Sequence, residues 1–394
     1  MRIKKTSIDW CPYIPEHWEV KRIKDIAFLQ SGNSITALDL HDDALYPVYG
    51  GNGFRGFTDT YTNEGDYVLI GRQGALCGNI NYAHGKFFAT EHAVVVYTKK
   101  GEITRWLGET LNIANLNRLS MTAAQPGLAV SAINNQPIPY PPQNERKRIA
   151  EYLNDKTGKI DARVSLLSKK RDAYQRLKKA LISRVVTKGL NPNAKFKPSG
   201  VDWIGEIPEG WEVKRIKDVV ELVSEKTNDN SMPYIGLENI ESWTARYIPS
   251  DSTTEGTNNM FHSGDVLFGK LRPYLAKGYL PQNDGICSTE FFVLRPYRNV
   301  HNKYVLYFIL SHQVIDYLKN QVAGVKMPRT NWDSFSNLTI PLPNSAEQQS
   351  IASYLDEKCS EIDATIANLE KQIEKYKELK RALISEVVTG KRRV

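Results

Sequence analysis

The sequence predicts an α/β (α+β) protein in which two mixed α/β modules are separated by two long helices forming an antiparallel coiled coil, with a pseudo-two-fold internal repeat. The first observation behind this is a duplication, which has to be read before anything else because it dictates the architecture. Asp9-Trp10 with Ile14-Pro15-Glu16-His17-Trp18-Glu19-Val20-Lys21-Arg22-Ile23-Lys24-Asp25 returns as Asp202-Trp203 with Ile207-Pro208-Glu209-Gly210-Trp211-Glu212-Val213-Lys214-Arg215-Ile216-Lys217-Asp218. Ile149-Ala150-Glu151-Tyr152-Leu153 with Ala180-Leu181-Ile182-Ser183 returns as Ile351-Ala352-Ser353-Tyr354-Leu355 with Ala382-Leu383-Ile384-Ser385. The leading motifs are 193 residues apart and the closing ones 202, so the second copy carries nine more residues.

The second observation is a heptad seam in each copy. Leu153, Ile160, Leu167, Tyr174 and Leu181 fall at sevens, as do Leu355, Ile362, Leu369, Tyr376 and Leu383, with Ile366 and Ile373 filling the partner position of the second seam. Apolar residues at that spacing make one sticky stripe along a helix. Pro137, Pro139, Pro141 and Pro142, and Pro341 and Pro343 in the second copy, stop each helix from extending toward its N-terminus. Ser345 with Gln348 suits a capping box. About 40 helical residues at ~1.5 Å each give a rod of roughly 60 Å. Thr157, Arg171 and Lys178 interrupt the first seam, so the first helix needs a partner.

Between the anchors, residues 20–140 and 213–340 read as the two α/β modules. Tyr67-Val68-Leu69-Ile70, Ala93-Val94-Val95-Val96-Tyr97 and Phe291-Phe292-Val293-Leu294 suit strands, whereas Ile103 to Leu119 and Tyr304 to Leu318 carry helical spacing. Leu69-Ile70-Gly71-Arg72 pairs with Leu267-Phe268-Gly269-Lys270, and Thr90-Glu91 with Thr289-Glu290. If each module is compact, the chain must leave the first along one rod and return along the other. The rods are then antiparallel, with the modules at opposite ends of a pseudo-two-fold bar.

Composition narrows the function. The 394 residues carry a formal charge of +8 and a pI near 9.0, which fits a polyanionic partner. Cys11, Cys77, Cys287 and Cys359 lie far apart without a C-x-x-C pair, so they read as reduced thiols and no structural zinc site is expected. No stretch approaches the ~20 apolar residues of a membrane span, and the expectation is a cytoplasmic protein with no membrane partner. A P-loop is absent, and Asn191-Pro192-Asn193-Ala194 fails the N-P-P-[YF] pattern of adenine methyltransferases at two of four positions, so neither a catalytic residue nor a metal ligand is expected. Two basic modules at a fixed separation match duplex DNA, whose half-sites are set about one turn apart.

Candidate DNA contacts fall on loops. Gly51-Asn52-Gly53-Phe54-Arg55-Gly56 matches G-x-G-x-x-G, but β-prone residues follow where a dinucleotide fingerprint needs a helix. A structuring turn or a DNA-facing loop using Asn52 and Arg55 are the open readings. Arg72 and Gln73 follow one strand, and Lys270, Arg272 and Tyr274 follow its counterpart. Arg and Lys suit guanine, and Gln and Asn suit adenine, in the major groove, although exposed bases of this kind equally serve phosphates. Gln125 in the first module, and Lys326, Arg329 and Asn331 in the second, suit a second loop or simple turn chemistry. Glu91 and Glu290 lack a second carboxylate or nucleophile and read as structural hydrogen-bonding residues.

The motif W-I-G-x-I-P-x-x-W-x-V-x-x-I at Trp203 to Ile216, degenerate at Trp10 to Ile23, resembles the specificity subunit of type I restriction-modification systems. So does P-x-P-x-x-x-E-Q-x-x-I-A-x-x-L at Pro341 to Leu355, from which the first copy departs with Asn144-Glu145-Arg146-Lys147-Arg148. The resemblance spans essentially the whole chain. It implies a target-recognition domain over 1–142 with a conserved segment 7–25 and a first coiled-coil helix over 143–190. A second target-recognition domain over 191–343, with a conserved segment 199–218, and a second helix over 344–394 follow.

It also implies a non-catalytic reader of double-stranded DNA with an asymmetric bipartite site, one half per domain and a spacer set by the coiled coil. Two modification (adenine-N6 methyltransferase) subunits would assemble on the coil, joined by up to two restriction (translocase/endonuclease) subunits. S-adenosylmethionine, ATP and Mg²⁺ would belong to those partners, and this chain would hold no cofactor. From Gln143 to Leu190 there are 14 Lys and Arg against 5 Asp and Glu, while Ser345 to Val394 has 9 of each. The basic first helix suits either spacer phosphates or the modification subunits. Rival readings are a coiled-coil assembly protein with protein-binding modules and a self-contained enzyme.

Overall fold

A computed structural model describes residues 2–394 apart from 75, 121–126, 230, 251–252 and 322–326. Strands and helices mix throughout, and the chain forms two compact units, Met1–Ser168 with Lys371–Val394 and Lys169–Glu370. Each unit takes one stretch of both long helices, Gln143–Lys188 and Ser345–Val388.

Unit 1 holds two four-stranded sheets. Ala27–Ser31, Ala93–Thr98, Tyr67–Gly71 and Ile80–Ala83 form an antiparallel one in that order. The near-continuous apolar runs Val68-Leu69-Ile70 and Val94-Val95-Val96 are buried because that sheet is covered on both faces. The other sheet runs Gly53–Thr58, Tyr46–Gly50, Lys86–Ala89, Asn63–Glu64, with Phe88 pairing parallel to Val48. A ribbon of Glu19–Arg22 with Pro137–Tyr140 leads into the first long helix. Leu153 and Ile160 of that helix share a core with Leu383, Ile384 and Val387 of the second. Asp161 bonds Lys380 Nζ at 2.7 Å and the Tyr152 hydroxyl accepts from Arg392 Nη1 at 3.4 Å, so the two stretches run antiparallel here.

Unit 2 repeats the plan. Val220–Val223, Phe291–Pro296, Val266–Gly269 and Gly278–Tyr279 form the antiparallel sheet. Lys226–Thr227, Asn258–Phe261, Gly285–Cys287 and Tyr234–Ile235 form the second, again with one parallel pair, Cys287 to Ile235. Ile182, Val185 and Val186 pack with Ile351, Leu355 and Cys359, and Lys178 Nζ bonds Asp363 at 2.7 Å. The pairing is antiparallel here too.

Along the seams, Leu153, Ile160, Leu167, Leu355, Ile362, Leu369 and Leu383 are buried, with Tyr174, Leu181 and Tyr376 half-buried. Of the interruptions in the first seam, Thr157 is buried and accepts from Arg105 Nη2 at 3.0 Å, tying the helix to its module. Lys178 pairs with Asp363 and Arg171 with its neighbour Asp172.

Three local expectations fail. The helix expected from Ile103 to Leu119 is Thr104–Ile113 and then a 3₁₀ turn Leu116–Leu119, broken at Asn115 with φ 50°. The one expected from Tyr304 to Leu318 is two helices, Asn302–Ile309 and His312–Gln321. In both, apolar spacing persists across a bend because both pieces face the same core. Finally, Ser345 and Gln348 make no capping box. Asn344 is the cap: its Oδ1 accepts from Glu347 N at 2.9 Å and its carbonyl from Gln348 N at 3.0 Å. Gln348 instead donates to Pro343 O at 2.8 Å and accepts from His301 N at 2.8 Å.

Candidate nucleic-acid interface

Each unit has a joint that fixes its module to the helices, and the repeated tryptophan is its centre. Trp18 Nε1 donates to Glu145 Oε2 at 2.9 Å, and Trp211 Nε1 donates to Glu347 Oε2 at 3.0 Å. His17 Nε2 adds a second contact to Glu145 at 2.8 Å, where unit 2 has Gly210. Burial alone would raise the Glu145 carboxyl, but the Trp18 and His17 hydrogen bonds hold it below the usual range. The divergent residues after Asn144 keep the joint, since Arg146 Nη1 donates to Pro141 O at 2.7 Å just as Gln348 Nε2 donates to Pro343 O.

A glycine closes each joint: Gly390 (φ 74°) lies against Pro15 and Trp18, and Gly189 (φ 72°) against Trp211 and Glu347. The sequence carried a signal for this, because the Trp and the Glu both recur in the two copies.

Held by these joints, each unit brings two loops together by the same main-chain ladder. In unit 1, Arg72 N donates to His92 O at 2.8 Å, Leu128 N donates to Arg72 O at 2.9 Å, and Gln73 bridges Gly127. In unit 2, Lys270 N donates to Glu290 O at 2.8 Å, Thr330 N donates to Lys270 O at 3.0 Å, and Leu271 bridges Arg329. Arg272 N donates to Pro328 O at 2.7 Å. Because backbone atoms make the ladder, the side chains on it are free to differ.

The ladder also corrects the pairing of the glutamates. Ala93 registers with Gly71 and Phe291 with Gly269, and Thr90 O and Ser288 O accept from those two residues' N–H groups. Glu290 therefore stands where His92 stands, not where Glu91 does. The repeated Thr-Glu dipeptide is one residue out of structural register.

The corner of unit 1 joins three of its candidates. Asn52, Arg55 and Gln73 line one cavity of about 500 Å³ with Gly74 and His92. The G-x-G-x-x-G stretch is the turn and second strand of a hairpin. A Cβ on Gly71 would lie 1.9 Å from Gly51 O, so the turn rests on the strand end with no room for a side chain. Asn52 Oδ1 accepts from Asn79 Nδ2 at 3.0 Å. Arg72 is half-buried and its Nη1 donates to Ser31 Oγ at 3.2 Å, beside the cavity lining and not in it. Gln125 lies outside the described residues.

The corner of unit 2 joins Lys270, Arg272, Tyr274 and Arg329. Arg272 has φ 51° and opens the turn Pro273–Leu275, leaving its own side chain and that of Tyr274 exposed. Burial pushes the Lys270 ammonium pKa down, with Arg329 acting in the same direction and Glu290 opposing. Arg329 Nη2 pairs with Glu290 Oε1. Asn331 is occupied otherwise: it caps the helix Trp332–Ser336, its Oδ1 accepting from Ser334 N at 2.8 Å. Lys326 lies outside the described residues. Among the described residues there is no cluster of His, Cys, Asp or Glu fit for a metal ion, and no helix long and apolar enough to cross a membrane.

The family model for the type I restriction modification DNA specificity domain matches residues 15–164 and 208–375. The chain is 26% identical to the type I restriction enzyme MjaVIII specificity subunit of Methanocaldococcus jannaschii, over 97% of this chain and 94% of that one. It is 34% identical to the EcoprrI specificity subunit of Escherichia coli over 160 residues, 40% of each chain. A solved chain from work on complex assembly and conformational transition of the type I R-M system has the same fold, with a TM-score of 0.68, 16% identity, and 95% of this chain and 98% of that one covered. Two matched regions that take in the Trp–Glu pair of each joint and both antiparallel sheets, on a fold shared with that solved chain, make this chain a member of the type I restriction-modification DNA specificity subunit family.

Proposed function

We propose that the chain reads an asymmetric bipartite duplex DNA site, one half with each unit, and catalyses nothing itself. The observation that carries this is the duplicated corner: one ladder of main-chain bonds presents Gln73 in unit 1, beside Asn52 and Arg55 of a hairpin, and Lys270, Arg272 and Arg329 in unit 2. Equal scaffolds with unequal polar side chains suit two different half-sites. The long helices set the unread spacer, and two modification subunits assemble on them to methylate adenine at N6. Up to two restriction subunits join that complex. S-adenosylmethionine, ATP and Mg²⁺ are used by those partners.

The test is to exchange residues 20–140 for the same region of a relative and map methylated adenines. One half of the modified sequence should change completely and the other not at all; change in both halves, or in neither, refutes the division of labour. Inserting about four residues, roughly one turn, near Lys170 should shift the preferred spacer without changing the bases.

A further inference from the structure

Unit 2 carries an ion pair between the two loops of its reading corner, whereas at the matching position of unit 1 His92 contacts its neighbour Glu91 at 3.3 Å. Glu290 ends the turn whose carbonyl receives the Lys270 N–H, and its Oε1 pairs with Arg329 Nη2 on the neighbouring loop. Its Oε2 is buried and has no hydrogen-bond partner among the described residues. The arginine side chain is 57% exposed and the glutamate 24%, so the guanidinium stands outward of the carboxylate that holds it. In unit 1 the two positions are His92 and Gly127, and no such pair can form. A feature needed by the shared scaffold would recur in both units, whereas one that selects a particular base need not.

A guanidinium carries five N–H donors in a rigid fork. Glu290 takes one Nη2 donor of the Arg329 fork, and among the described residues the other donors have no hydrogen-bond partner. Two parallel donors on an arginine match guanine O6 and N7 in the major groove. A free arginine on a loop tip would instead collect phosphates, which fix position but carry no sequence.

Resting on the DNA-reading proposal above, we infer that unit 2 reads a guanine through Arg329, and that Glu290 is the positioning residue that aims it.

The experiment uses the full chain assembled with its modification subunits and a randomised duplex pool, from which the wild-type site is selected and sequenced. Arg329→Ala, whose side chain is exposed, should relax one guanine position by about 10- to 100-fold. Glu290→Gln should relax that same position while leaving the other half-site intact. It should not weaken binding to an unrelated duplex, because it removes a negative charge from a DNA-facing corner. Glu290→Asp should restore part of the discrimination. Replacing that guanine by 7-deazaguanine, which lacks N7, should weaken wild-type binding and leave Arg329→Ala unaffected.

The inference is overturned if Arg329→Ala relaxes no guanine, or if Glu290→Gln leaves that position within twofold of wild type. It is overturned equally if Glu290→Gln weakens all sequences alike. A wild-type complex that selects no sequence at all would sink the DNA-reading proposal itself, a different outcome from either.

Discussion

The two units are most alike where they grip the helices and least alike at the connection after the parallel strand. In unit 1 that connection is a hairpin whose turn, Gly51-Asn52-Gly53, lies beside Gln73 and His92. In unit 2 it becomes a short turn, Leu237–Asn239, followed by a loop bridged at Ile240 and Tyr247. That loop heads for the helices: Trp243 meets the His312 ring at a tilt and lies under Lys179 Nζ, and Arg246 reaches Asp363. Trp243 and Ala245 sit at φ 67° and 56°, conformations that non-glycine residues adopt at a cost. One module therefore spends this segment on its loop corner and the other on its support. This segment lies outside both the antiparallel sheet and the Trp–Glu pair of the joint.

The strongest way to break the likeness of the joints is at their glycines. Gly390→Ala places a Cβ 2.4 Å from the Pro15 ring, against 3.1 Å to Trp211 and Glu347 for Gly189→Ala. Both pay about 1–2 kcal/mol for the left-handed backbone, and Gly390→Ala should lose a further ~1–3 kcal/mol to overpacking. Urea unfolding that finds the two equal would mean that Gly390 is no more tightly enclosed than Gly189.

The tryptophans sharpen the comparison. Trp211→Phe leaves Glu347 without its indole donor and should cost about 1.5–3 kcal/mol. Trp18→Phe should cost less, since His17 still contacts Glu145; adding His17→Ala to it should close the gap in thermal unfolding.

Acid titration gives a smaller effect. The Glu145 carboxyl lies below its ordinary value of 4.5 in the folded chain, so its stabilisation is fully present above pH about 4.5 and lost as pH falls through the lower folded value. Glu145→Gln should flatten that limb of the stability curve; a curve unchanged in slope would show the carboxylate is not held by the joint.

The thiols should show the least difference between units. Burial pushes Cys287 up to about 12 and Cys11 and Cys359 up to about 11, and all four cysteines are free and buried. Thiol reagents should modify none of them in the native protein at neutral pH, and rapid labelling in one unit alone would mark that unit as the looser.

The duplication, the helices and the central strands were legible because each leaves a period in the sequence. Heptads announce Leu153 to Leu181, and apolar runs announce Val68 to Ile70 and Val94 to Val96. Helix breaks were not legible, since Asn115 and Ser311 interrupt the backbone without interrupting the apolar spacing. The cap was misplaced by one residue because Asn344 and Ser345 are both good cap residues and only geometry selects one. Asn331 could have been assigned as a cap from its position before Trp332-Asp333-Ser334.

The candidate corners were legible as loops but not as assemblies. Contacts such as Gln73 to Gly127 or Glu290 to Arg329 join residues far apart in sequence and leave no local pattern. The one-residue offset of Glu290 from Glu91 is the clearest case: a repeated dipeptide suggested equivalence, and strand register denied it.

The division of the chain has a consequence for synthesis. Unit 2 is one unbroken stretch, Lys169–Glu370, while unit 1 needs Lys371–Val394 to finish its core. As a ribosome makes the protein, Leu153 and Ile160 wait with their apolar face uncovered until Leu383, Ile384 and Val387 have been translated. The unit begun first is completed last, and a stalled or truncated nascent chain would leave a well-formed second unit attached to an open, aggregation-prone first one.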